Sequence, residues 1–301
     1  MPATFAHYTL FYKSLENWLS RGGRNQIRLA LGKFSPFGLL GSNSPDFPIV
    51  AKDPIWEDFL HGSTASRIVP PAVSLLRTLS GKKKQKCLAW FAGYLSHMTG
   101  DSTVHPVVNL RAGPYISHAE LHQKCAVHQD AYIFQRLGLA GITKCELTRK
   151  IVADCSLPDD RLKLDCDILE FWKEILHEAF PDEALPDFNF WFAAYMQIVD
   201  KFAEESEWWH IRVISEVAGL SHLLHLQPGQ VAEPSFINDL PTISGKTISY
   251  DNLFDKAIES TVAAWLALDA AVSSSDPLLP PLSLNWNLNS GEIFDPKYIF
   301  W

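Results

Sequence analysis

The sequence predicts an all-α fold, a compact multi-helix globule with long irregular loops. Three observations carry that expectation. Apolar residues recur at three- and four-residue spacing along most of the chain. Alternating apolar and polar runs, the mark of half-buried strands, are scarce, and "KTISY" from Lys246 to Tyr250 is the only fair one. Glycines such as Gly81 and Gly138 fall where periodic stretches stop, as helix ends require. No internal repeat is present.

Taken in order, "GKFSPFGLLGSNSPDFP" (Gly32–Pro48) is dense in Gly, Ser and Pro and reads as a long loop rather than a helix. Loops of that length are often functional. "LLRTLSGKKKQKCLAWFAGYLSHM" reads as two helices broken near Gly81. "HAELHQKCAVHQDAYIFQRLG" reads as one helix from His118, stopped at Gly138. Further helices are expected in "LTRKIVADC", "DCDILEFWKEILHEAF", "FNFWFAAYMQIVDKFAEES", "WHIRVISEVAGLSHLL" and "LFDKAIESTVAAWLALDAAVS". The last stretch, "SSSDPLLPPLSLNWNLNSGEIFDPKYIFW", is irregular but rich in Trp, Phe and Leu, so it is expected to wrap back over the body.

Composition narrows the function. With 301 residues and 47% hydrophobic side chains the chain can bury a sizeable core. Its net charge of -8 gives no long-range attraction to nucleic acid, whose binding rests on phosphate neutralisation. The basic run "GKKKQK" is read as a solvated helix start. No apolar run reaches the roughly 18 residues a spanning helix needs, and the N-terminal stretch lacks the pattern of a signal peptide. A cytoplasmic location is therefore expected. The five cysteines, Cys87, Cys125, Cys145, Cys155 and Cys166, are odd in number and widely spaced, which suits reduced, mostly buried thiols.

The chemistry concentrates in "YLSHMTGDSTVHP", where His97, Asp101 and His105 recur every four residues. Positions four apart share one helix face, one turn above another, as ligands of one ion or a close pair require. Around them stand His7, Asp46, His61, His118 and His122, all nitrogen or oxygen donors suited to Zn²⁺. Eight are too many for one ion but fit two or three. Asp101, flanked by two histidines, is placed to bridge two cations. Each residue also has an ordinary role open to it: His7 at a helix start, Asp46 as a turn residue or N-cap, His61 before a turn at Gly62, His118 after an N-cap.

The order and spacing of this set resemble the zinc-dependent phospholipase C family, whose superfamily includes the zinc-dependent single-strand nucleases. The resemblance rests on His7, "SPDFP" with Asp46, His61, "HMTGD" with His97 and Asp101, His105, and "HAELHQKCAVHQD", and it covers about residues 1–137. It implies a phospholipase C/nuclease-like fold in one domain spanning 1–301. The metal-binding part would be about 1–137, with cleft-forming helices and a wrapping tail in 138–301. It further implies a first zinc on Asp46, His61, His97 and Asp101, and a second sharing Asp101 and held by His7. A third would sit on His105 and a histidine of the next helix. In the family a free N-terminal amine completes the second site; here the chain begins "MPATFAH". The final pair also departs from the pattern. If His122 is the ligand, its carboxylate partner position is Ala126; if His118, the partner position is His122. The reading adopted takes both histidines, with Glu120, His128 and Asp130 in reserve and Asp130 as an acceptor supporting a ligating histidine.

The implied activity is hydrolysis of a small or amphiphilic phosphate ester by metal-activated water, with Asp101 as the bridge and Asp46 orienting or deprotonating the water. No GxSxG, P-loop or GxGxxG offers other chemistry. Trp18, Phe34, Phe37 and Trp56 are candidates for lining an apolar cleft or for core packing, and "EESEWWH" for its rim. The alternatives are a repurposed metalloenzyme of the same fold in a biosynthetic step, a non-catalytic zinc-stabilised binding module, and a nuclease. The last is disfavoured by the acidic charge.

Overall fold

A computed structural model describes residues 4–21, 25–134, 151, 153–205, 233–278, 280–294, 297–298 and 300–301. The chain is built from helices. α1 is Thr4–Ser20, α2 Gln26–Gly41, α3 Phe47–Ala51, α4 Pro54–His61, α5 Val69–Thr78, α6 Gly81–Ala112 and α7 Tyr115–Phe134. α8 is Cys166–Ala179, α9 Phe188–Glu205 and α10 Tyr250–Ser273. Short 3₁₀ turns at Ser44–Asp46, Ala65–Ile68 and Pro234–Phe236 join them. Three two-stranded antiparallel ribbons complete the described elements: β1 (Ser156–Leu157) with β2 (Asp160–Leu164), β3 (Leu240–Pro241) with β4 (Thr247–Ile248), and β5 (Glu292–Phe294) with β6 (Lys297–Tyr298). The expected "KTISY" strand is β4, paired through Ile248 to Leu240. No helix among the described residues is long and apolar enough to cross a membrane.

α6 is the axis. It begins after Ser80 with Gly81 in the left-handed region, which separates it from α5 as the sequence predicts. Residues 86–108 of it are buried almost without interruption. A helix buried on all sides must be wrapped by others, and here α1, α2, α7, α8 and α10 pack around it. α8 presents Ile168, Phe171, Trp172, Ile175 and Leu176, a stripe at helical spacing, to that centre. Trp265 of α10 is buried with its indole N–H donating to Ala92 O at 2.8 Å.

The expected loop at Gly32–Pro48 is the main correction. Most of it is helical: α2 continues to Gly41, with a kink at Phe34 (φ -130, ψ 34) and Pro36 inside it. The kink lets the chain restart a helix at the proline, where a missing N–H costs little. Gly38 and Gly41 are there for proximity. A Cβ at Gly41 would strike the Trp90 backbone, and one at Gly93 of α6 would strike Gly38 O and lie 2.8 Å from Ser42 N. Glycines at these positions let two helix backbones touch.

Two apolar clusters form the core. The larger gathers α1, α2, α5, the first half of α6, α8, α9 and the end of α10, and includes Trp18, Phe37 and Trp56, which are packing residues rather than cleft lining. The smaller joins α1, the second half of α6, α7 and the start of α10 through Leu10, Val107, Cys125 and Leu253. The C-terminal segment wraps back as expected, burying Leu282, Trp286 and Leu288. Cys87, Cys125 and Cys155 are buried free thiols and Cys166 is exposed, whereas Cys145 lies outside the described residues. "WHIRVISEVAGLSHLL" and most of "LTRKIVADC" and "EESEWWH" also lie outside them.

Candidate metal centre

Four elements deliver six side chains to one buried point between the two apolar clusters. α1 supplies His7, and the 3₁₀ turn after α2 supplies Asp46. The end of α4 supplies His61, and one face of α6 supplies His97, Asp101 and His105. Gly100 makes the α1 crossing close: a Cβ there would lie 2.7 Å from Leu10 Cδ2. The His7 ring therefore stacks on His97, with centroids 3.8 Å apart and planes at 11°.

Asp101 sits at the centre and is fully buried. Its Oδ2 is 3.3 Å from His97 Nε2, and its Oδ1 is 3.6 Å from His7 Nε2 and 3.8 Å from His105 Nε2. Asp46 Oδ1 is 3.1 Å from His61 Nε2 and 4.0 Å from His97 Nε2. Two sets of three residues, His7–His97–Asp101 and Asp46–His61–His97, each place one ligand atom apiece within 4.8 Å of the others. Zinc binds such atoms at about 2.0–2.1 Å in a tetrahedron, which sets neighbouring ligand atoms roughly 3.3 Å apart.

The opposite ring nitrogens fix which atoms carry protons. His97 Nδ1 donates to Ser42 O at 2.9 Å, His105 Nδ1 to Leu288 O at 2.6 Å, and His61 Nδ1 to Glu57 O at 3.3 Å. A carbonyl only accepts, so each Nδ1 holds a hydrogen and each Nε2 is turned toward a carboxylate. Lone pair against carboxylate is repulsive unless a cation or proton lies between. His7 Nδ1 and Nε2, His97 Nε2, His105 Nε2 and both Asp101 oxygens are buried without a hydrogen-bond partner, a heavy cost in a protein interior. This donor set fits divalent zinc.

Protonation follows the same field. Burial, with the adjacent His97, pushes His7 down to about 3, and burial takes His105 down to about 3. Burial works against a charged His97 as well, but Asp101 and Asp46 outweigh it and raise that ring. Burial would raise the carboxyls, yet His105 and His97 hold Asp101 well below the usual range, and His97 and His61 lower Asp46. The site thus combines ionised carboxylates with two imidazoles, His7 and His105, that resist protonation.

The remaining expected residues lie on α7, which kinks at His118 (φ -137, ψ 34); His122 is close enough to His105 to help lower its pKa. His118 is exposed with Nδ1 2.9 Å from Ser117 Oγ, and His122 Nε2 donates to Gly113 O. Among the described residues, His105, His118 and His122 form no group of mutually close ligand atoms. Ala126 is buried. Glu120 is exposed, and His128 Nδ1 accepts from Glu233 N–H. Asp130 Oδ1 accepts from Ala6 N–H at 2.7 Å, and so anchors the turn of α1 that carries His7.

Sequence reasoning missed the carbonyls of Ser42, Glu57 and Leu288, because any residue supplies a carbonyl. It also passed over Tyr94. That hydroxyl is buried without a hydrogen-bond partner, and burial together with the charge of Asp46 pushes its pKa up.

These buried histidines and aspartates, set in a mostly helical chain, lie close enough together to hold a metal ion. The family model for zinc dependent phospholipase C matches residues 3–182, more than half of the 301-residue chain, and the chain belongs to that family. No curated protein and no solved structure matches it.

Proposed function

We propose that the chain is a zinc-dependent phosphoesterase whose centre uses His7, Asp46, His61, His97, Asp101 and His105 to hold at least two zinc ions. Family membership supports zinc and phosphate-ester hydrolysis. The observation that carries the residue assignment is Asp101. Its two buried, unpartnered oxygens face different histidines, as a carboxylate shared between two cations does.

When bound, zinc acidifies a water toward neutrality and polarises a phosphoryl oxygen. The protein's own contribution is placement. Ser42, Glu57 and Leu288 carbonyls hold three imidazoles with Nε2 inward. Asp46, ionised and only partly buried, accepts a hydrogen bond from the attacking water and orients it; its lowered pKa makes it a poor proton store. Tyr94 is a further donor within electrostatic reach of Asp46. The substrate class proposed is a small or amphiphilic phosphate ester.

The test is zinc content together with turnover of a generic phosphodiester such as bis(p-nitrophenyl) phosphate. Two or more zincs per chain are expected. Asp101→Asn is expected to lose at least one zinc and to cut turnover by more than the roughly 100-fold that loss of a supporting hydrogen bond costs. Stoichiometric zinc without turnover of any phosphoester would sink the hydrolase reading. A protein that takes up no zinc would sink the centre.

A further inference from the structure

We propose that the C-terminal turn at residues 287–292 is a positioning clamp for the metal centre, acting on His61 and His105 from outside the part of the chain that defines the family. The proposal rests on the zinc reading above. The family match ends at residue 182, so nothing in that match assigns a role to this segment.

The clamp makes backbone contacts to two ligand-bearing elements at once. Leu288 O accepts from His105 Nδ1 at 2.6 Å. The N–H of the same residue donates to His61 O at 2.9 Å, and Asn289 N–H reaches that oxygen at 3.2 Å. One residue therefore sets the ring plane of His105 and holds the end of α4 that carries His61. These histidines attend different carboxylates, Asp101 and Asp46 respectively. The turn fixes the span between them.

The seat of the clamp is Pro106, inside α6. It has no N–H, so the usual bond to the carbonyl of Ser102, four residues earlier, cannot form. Gly291 lies directly against this point with φ +74; a Cβ there would sit 2.5 Å from Pro106 Cγ and 2.6 Å from Ser102 O. Asn109 Nδ2 donates to Asn289 O at 3.0 Å, and the Trp301 indole N–H donates to Thr103 O at 3.0 Å. The turn closes on itself through Gly291 N–H to Asn287 O at 2.7 Å. Its shape is thus set internally, and Gly291 decides how closely it approaches the helix turn holding Asp101 and His105.

Gly291→Ala tests this, with Gly245→Ala as its control. Gly245 has nearly the same backbone strain (φ +75) but nothing within 4 Å of its would-be Cβ. Zinc release to a chelating dye is timed for wild type and both variants, and the melting of each metal-free form is recorded. G291A is expected to release zinc roughly 10-fold faster than wild type. G245A is expected to match wild type in release, and metal-free G291A to melt below metal-free G245A because its Cβ meets Pro106 and Ser102 O. Unchanged release in G291A overturns the clamp. So does wild-type release in Asn109→Ala, which loosens the turn without a clash and would make the G291A effect one of fold stability alone. Should G291A fail to fold, Asn109→Ala removes one tie of the turn and is read in the same way, with faster release expected and unchanged release overturning the proposal. Wild type without zinc overturns the centre itself, a separate outcome.

Discussion

At the scale of single residues, the centre is a matter of protons and lone pairs. His7 and His105 are held at about 3 in the fold, whereas in an unfolded chain they return to about 6.5. Between those values the unfolded state binds more protons, so stability of the metal-free protein falls as pH falls from about 6.5 toward 3. Asp46 and Asp101, depressed in the fold, lend stability above their unfolded pKa of about 3.9 that is lost as pH drops further. His97, raised, acts oppositely: its contribution is present at low pH and lost as pH rises through its folded value. Two histidines outweigh one. The urea midpoint of metal-free protein is therefore expected to drop steadily from about pH 7 to about pH 4.5, and a flat or rising midpoint would contradict this balance.

At the scale of elements, α2 and α6 show how a helix hides in a loop-like sequence. Glycine and proline in "GKFSPFGLLG" read as breakers when only local propensity is weighed. Their use is tertiary. Gly38 and Gly93 allow backbone contact between the helices, which brings Ser42 O to His97 Nδ1. Gly93→Ala would drive a methyl into Gly38 O and Ser42 N, backbone atoms that cannot swing aside. A loss of about 3 kcal/mol or more is expected by urea denaturation. Gly32→Ala on the partner helix α2 meets nothing within 4 Å and is expected to be neutral or to stabilise by up to about 1 kcal/mol. Equal effects at the two sites would refute the close-approach account.

At the scale of the whole molecule, the proposed metal centre draws on α1 and α6, helices that also contribute to both apolar clusters. Zinc removal is therefore expected to leave the helices largely in place while lowering the unfolding midpoint. Ligand held at a hundred times its Kd contributes about 2.7 kcal/mol, equivalent to at least about 4 °C in a chain of this size. Far-UV circular dichroism and thermal melting before and after EDTA check both halves. Collapse of the helical signal on EDTA treatment would show that the ion holds the fold together.

The sequence by itself determined the helical class, the break at Gly81 and the shared α6 face of His97, Asp101 and His105, because helical periodicity and four-residue spacing are local signals. The strand at Thr247–Ile248 and the wrapping tail were legible for the same reason, as short apolar patterns. Only the tertiary structure decided that Gly32–Pro48 is mostly helix, since the glycines serve a partner helix far along the chain. It also put a kink at His118, which the four-residue spacing of His118 and His122 did not foretell. The carbonyls that orient the imidazoles belong to backbone, and backbone carries no residue code. Their positions follow from packing alone, which is why Ser42 and Leu288 entered the site only with the fold.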